Sequence, residues 1–468
     1  IAPEKSGTSQ NWSSIQSYPG EWAILDGESN IQDNYGAIIG YGAFGGQTLA
    51  YWKFERLELT RAGNEDKFAA IWVENGPFIV RYCYIHDNTC PRAGRSNSGA
   101  IVGHTWHDSI IEFNYFYNNV GTEDNYGADI CVYSDYESPQ DVVINEATRN
   151  NTIRYNYFLD GQQAIKYKSM QYLSLDHSGN HTTYKDYGDN IHHNIIKNAD
   201  RSMHFNQDFI QLHHNIFDSC KYIEAVQNSA PYRVFFQTYY NNLFLDTRLH
   251  INKNFKDGSS DKNYAVPSEQ DNYHPNTFLC NNIFEGVDGI DNYRSELTIF
   301  GGYSDENVLT YMDWDTMTVE NNLFYDDALT DENIRVDHDD DFSVNSFEAG
   351  GYANLNYASN SGGLHPATEP YKTVSTYGLG RNNATVADGG KGGSHPYLAG
   401  INIPSYLGVC DPSEDSGYGW NPNSPDPDDA GWIQYVLSLQ NIDTLRGYSS
   451  TDSPLPPPTW PAQPFNPQ

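Results

Sequence analysis

A chain of 468 residues with 61 Asp and Glu against 27 Lys and Arg carries a formal charge of −34. That balance excludes the basic surface that nucleic-acid phosphates require, and no run of about 18 apolar residues is present to span a membrane. Aromatics make up 14% of the chain, led by 36 Tyr, and 39 Gly accompany them. This composition suits short strands and polar turns rather than helical bundles.

The chain opens on IAPEKSGTSQ, without an initiator Met or a leader pattern. It reads as a mature, processed form and so predicts a secreted, extracellular protein. Residues 12–27, WSSIQSYPGEWAILDG, read as the first turns of a coil of strands. Their YPGE…DG run resembles the opening of pectate-lyase-like carbohydrate-active enzymes, which implies a right-handed parallel β-helix.

A repeat then supports that fold from the residues alone. The pattern apolar-x-apolar-x-x-Asn-x-apolar recurs around Asn114, Asn156, Asn194, Asn215, Asn242, Asn282 and Asn322, at unequal intervals. Helical solenoids keep their period, whereas a coil with fixed strands and free loops does not. Parallel strands about 4.8 Å apart stack equivalent residues, so an Asn at one corner can bond to its copies and remain satisfied when buried. The expectation is an all-β, right-handed parallel β-helix with long loop insertions. Its repeat core covers about 40–330 and an irregular cap about 330–450. Residues 1–450 form one catalytic domain, and 451–468 a Pro-rich tail. Of six cysteines, Cys83 and Cys90 are spaced for a local disulfide, and Cys131, Cys220 and Cys280 for buried thiols.

Six strands align by their apolar residues: AAIWVEN, GAIVGHT, ADICVYS, AIKYKSM, SMHFNQD and YIEAVQN. Alternation sends Ile71, Ile101, Ile130, Ile165, Met203 and Ile223 inward. One outward column then holds Trp72, Val102, Cys131, Lys166, His204 and Glu224. A second holds Glu74, His104, Tyr133, Lys168, Asn206 and Val226, and a third holds Asp129 and Tyr222. A solvated sheet face is ordinarily polar, so any single one of these residues is decoration. Their conjunction, on a chain poor in lysine and between long insertions at 121–149 and 170–189, has the composition of a site.

Trp72, Trp106, Tyr133, Tyr136 and Tyr222 suit stacking on sugar rings, and the basic residues suit an anionic polymer. An acidic polysaccharide is therefore the expected partner of a monomeric enzyme. In β-elimination a base takes the C5 proton of a uronate, a cation neutralises its carboxylate, and an acid protonates the leaving oxygen. Lys168, Lys166 and Tyr133 or His204 fill those roles, because neighbouring ammonium groups disfavour each other's charge. Lys168-Ser169 after Ile165 resembles the Lys-Ser of the chondroitinase B and alginate lyase family, which implies Lys168 as base. That family's metal-binding glutamates would fall near Gly161 and Gln163, and its arginine near His204 or Asn206.

The competing reading is a glycoside hydrolase using Asp129 and Glu224. Three rungs place these about 14 Å apart, beyond the roughly 5–9.5 Å of catalytic carboxyl pairs, unless Glu123, Asp124 or Glu146 steps in. A third reading is a non-catalytic carbohydrate-binding coil. His104, Trp106, Trp72, Asn206 and Tyr222 are the expected substrate contacts. The acidic run RVDHDDDF, 335–342, offers oxygen ligands to Ca2+; no other metal is indicated.

Overall fold

The recurring asparagines build the fold. In the computed structural model Asn114, Asn156 and Asn194 are fully buried. The Nδ2 of Asn114 donates to Oδ1 of Asn156 at 3.0 Å, and that of Asn156 to Oδ1 of Asn194 at 3.0 Å. Each Oδ1 also accepts the backbone N–H of the asparagine below, while Nδ2 reaches the carbonyl of Val80, Ile111 or Ile153. A corner that would strand backbone polar groups is thereby satisfied. Below Asn114 the ladder ends on Cys83, whose N–H donates to Asn114. Cys83 is a buried free thiol, so the expected bridge to Cys90 is not formed. A cysteine at a ladder position points into the core, not toward a loop. Cys131 and Cys220 are buried thiols as expected.

The structure describes 1–133 apart from 2–4, 30, 32–36, 41–49, 64–67, 90–97 and 122–126, then 148–168, 189–205 and 210–225. It further describes 237–252 and 278–285 apart from 241 and 281, and 297–300, 318–320, 323–325, 334–337, 361–362 and 432–446. The described chain is nearly all β, and its sheet strands pair in parallel, consistent with a parallel β-helix.

Two units divide the chain. The first comprises Ile1–Ser169, Asp189–Met203 and Trp432–Gln468, the second Met170–Gly188 and His204–Gly431. In the first unit the chain visits three sheets in rotation. Strands Ser13–Gln16, Trp52–Glu55, Phe78–Arg81, Ile110–Glu112, Thr152–Arg154 and Asn190–His192 form the first sheet. Ala23–Asp26, Leu57–Thr60, Tyr84–His86, Tyr115–Tyr117, Tyr157–Leu159 and Ile195–Lys197 form the second. Ala37–Gly40, Ala69–Trp72, Gly99–His104, Ala128–Tyr133, Gln163–Lys168 and the first three residues of Arg201–Phe205 form the third. The second unit repeats this three-strand order from Gln211–His213, Ile216–Asp218 and Tyr222–Ala225 onward. Arg335 to Asp337 of the acidic run pair as a strand with Thr298 to Phe300; the rest of that run lies outside the described residues.

Inside, like stacks on like. Ile71, Ile101, Ile130 and Ile165 pair rung by rung and are fully buried. The rings of Phe116 and Phe158 stack at 4.7 Å. Each such side chain contributes about 1.5–3 kcal/mol. The corner residue before Cys83, Asn114, Asn156 and Asn194 (Tyr82, Phe113, Tyr155, His193) has φ between 54° and 57°, and the first three rings stack at 5.3 Å.

Among the described residues of the expected irregular cap are two helices, α1 (Trp432–Ser438) and α2 (Ile442–Arg446). Tyr435 of α1 meets Phe113 edge-on at 5.7 Å, with Val436, Leu439 and Leu445 buried.

Candidate active site

Connection lengths single out the third sheet. From Arg81 onward the passage from first to second sheet takes two residues every time, as at Phe113–Asn114 and Tyr155–Asn156. Several passages leaving the third sheet are instead long, spanning 134–151, 169–189, 226–237 and 253–277, although 73–77, 105–109 and 206–210 take five residues each. Two early passages into it, 87–98 and 118–127, are long as well. Insertions that gather beside one sheet of a rigid coil are where binding residues concentrate.

On that sheet the backbone register is as expected. Trp72 pairs with Val102, Val102 with Cys131, and Cys131 with Lys166. This column is not open, however. Trp72 is 3% exposed, Val102 and Cys131 are buried, and Lys166 is 8% exposed. Trp72, Val102 and Cys131 cluster with Ala37, Ala69 and Ala128 as a core of their own. Three apolar rungs in a row bury themselves, so Trp72 is not the open sugar platform that was expected. His204 is likewise buried, at 2%.

The neighbouring column is more accessible at Glu74 and His104. His104 pairs with Tyr133, and Tyr133 with Lys168. Glu74 joins below, because Val73 N–H donates to Val102 O and Asn75 N–H to His104 O, both at 2.9 Å. Glu74 and His104 are half-buried. The Trp72 indole N–H reaches Glu74 Oε1 at 3.4 Å, and its ring lies 5.8 Å from that of His104. Carboxylate, imidazole, phenol and ammonium thus occupy consecutive rungs about 4.8 Å apart.

Two expected site residues belong to the interior. Trp106 is fully buried, its indole N–H donating to Val73 O at 2.7 Å and its ring edge-on to Phe78 at 4.9 Å. Asp129 is 1% exposed and accepts from Asn119 Nδ2 at 2.7 Å. Asn119 and Asn88 form a second amide ladder. Where its next rung has Gly161, the Asp129 carboxyl takes the vacant side-chain place; a Cβ on Gly161 would lie 2.9 Å from Asp129 Oδ2. Burial pushes the Asp129 carboxyl well above its ordinary range, against the hydrogen bond from Asn119. Asp129 is a ladder residue, not a catalytic acid.

Glu224 and Tyr222 lie on a strand whose backbone pairs Tyr222 with Arg248 and Glu224 with His250. Asn206, Tyr136, Glu123, Asp124 and Glu146 lie outside the described residues.

In the corner that follows His104, sequence reasoning gave His107, Asp108 and Asn150 no role. There His107 Nδ1 contacts Asp108 Oδ2 at 2.9 Å, and Asn150 Nδ2 donates to Asp108 Oδ1 at 3.1 Å. Burial raises the Asp108 carboxyl, but the bonds from His107 and Asn150 outweigh it and leave its pKa lowered. The HisAsp step in TWHDS, at a rung end, was the available signal.

No known family's sequence profile matches the chain, and no curated protein does. Two solved structures are similar in part. XylC in complex with xylose shares 9% identity over 65% of this chain, with a TM-score of 0.34. This chain spans about half of that one, 55%. A mannuronic acid specific polysaccharide family 6 lyase from human gut microbiota shares 11% identity over 72% of this chain and 74% of its own, with a TM-score of 0.36. Similarity at this level carries no information about chemistry.

Proposed function

We propose that this chain is a secreted enzyme that cleaves an acidic polysaccharide by β-elimination, on the third sheet of a right-handed parallel β-helix. The observation that supports it is the run Glu74, His104, Tyr133, Lys168 on four consecutive rungs, beside the sheet's long insertions. In this reading Lys168 takes the C5 proton and Tyr133 protonates the departing glycosidic oxygen. Lys166, on the same strand and largely buried, offsets through space the charge that builds on the uronate. His104 holds the adjoining sugar. The hydrolase alternative loses Asp129 as an ionised partner, since that carboxyl is buried in an amide ladder, and would rest on Glu224 with Glu123, Asp124 or Glu146.

Digestion of pectate, alginate, chondroitin sulfate and carrageenan, followed by the absorbance of the unsaturated product, tests the reading. Lys168→Ala and Tyr133→Phe should each lower turnover by about a hundredfold or more while the fold is retained. Chain shortening without that absorbance would establish hydrolysis and overturn it.

A further inference from the structure

We propose that Arg149 and His107 form a subsite for the acid group, carboxylate or sulfate, of a sugar bound beside the reacting unit; the placement rests on the reading above. The two residues are backbone neighbours on successive rungs. Asp108 N–H donates to Arg149 O at 3.0 Å, and Arg149 N–H to Trp106 O at 2.9 Å. His107 follows His104 by three residues, so its Cα lies within about 10 Å of the His104 Cα. Both side chains are half-buried, and Arg149 lies near the end of one of the long passages out of the third sheet.

The chemistry is divided between them. Asp108 receives His107 through Nδ1 and is itself held by Asn150, which fixes the ring and directs Nε2 away from the carboxylate. Nε2 of such an imidazole accepts a hydrogen bond from a sugar hydroxyl. The Arg149 guanidinium, near enough to Asp108 to lower its pKa, offers further donors in a planar fork suited to carboxylate or sulfate. On a chain of charge −34 a polyanion is repelled at long range, so any bound acid group needs such a local cation.

The test is isothermal titration on the full-length Lys168→Ala chain. The probes are oligogalacturonate and oligomannuronate for carboxylate, a carrageenan oligomer for sulfate, and carboxyl-reduced or desulfated counterparts as neutral controls. Arg149→Gln should weaken binding of one anionic class about tenfold, and the responding class names the acid group. Arg149→Lys should recover most of that loss, and both Arg149 variants should bind the neutral counterpart as the parent does. His107→Ala should weaken neutral and anionic oligomers alike, since it holds a hydroxyl. An Arg149→Gln chain that binds every probe as its parent does overturns the subsite. So does one that loses charged and neutral probes equally, or a parent chain that binds none of them. Residual turnover in Lys168→Ala would refute only the assigned base, and affinities read before appreciable cleavage would still judge Arg149.

Discussion

Asp129 shows how one side chain can mislead a reading by alternation. A Cβ on Gly99, at the start of its strand, would lie 3.1 Å from Cys131 Cβ and 3.2 Å from Val102 Cγ2. Residues three apart therefore share a face there, and strict two-residue alternation does not reach the first positions of the strand. The folded chain keeps a proton on Asp129 that the unfolded chain releases above about pH 3.9. The stability it contributes thus falls as pH rises from there toward the raised folded value. Asp129→Asn should be more stable than the parent at pH 8, with the gap widening by about 1.4 kcal/mol per pH unit while Asp129 stays protonated. It should retain turnover. Urea midpoints at pH 5, 6, 7 and 8 check this; a gap that stays flat contradicts the buried, neutral carboxyl. His214 has the opposite dependence. Burial lowers its pKa to about 3, so below about pH 6.5 the unfolded imidazole binds a proton that the folded one refuses. Stability is then lost on acidification down toward that value. His214 has φ 53°, a conformation asparagine tolerates. His214→Asn should make the loss of stability between pH 6.5 and 4 shallower, as read by thermal melts.

Among the elements, the Asn corners could be read from the sequence because each copy must satisfy the next. Asn156 donates to Ile111 O and Asn194 Oδ1 and accepts from Asn114. Asn156→Ala leaves several of these buried groups unpaired and should cost about 3 kcal/mol or more, measurable by urea unfolding. A cost below 1 kcal/mol would argue that water replaces the amide. The terminal helices escaped notice in a Pro- and Gly-rich region, although Val436 and Leu439 are three apart and Tyr435 sits beside them. The half-exposed column at His104 was legible, since it needs only register. Burial of the Trp72 column was not, because alternation says which face a residue takes and nothing about what that face meets.

At the scale of the whole molecule, charge would govern the approach of the proposed polyanion, and the corner groups its capture. Adding salt shortens the Debye length from about 30 Å at 0.01 M to about 8 Å at 0.15 M. Repulsion between a chain of −34 and a polyanion should fade over that range, so the association rate should rise in stopped-flow mixing. A rate that falls from the lowest salt onward would mean that local cations steer the encounter instead.

The two-residue corners have a practical corollary for anyone reshaping this protein. Foreign peptides spliced into 134–147 should leave the stacked frame standing, since span is already free to vary at that wall. One extra residue between Arg154 and Tyr157 would push Phe158 out of the interior and turn its neighbours over with it. New specificities are to be sought on the ragged margin, and the hinge-like seam opposite is to be left alone.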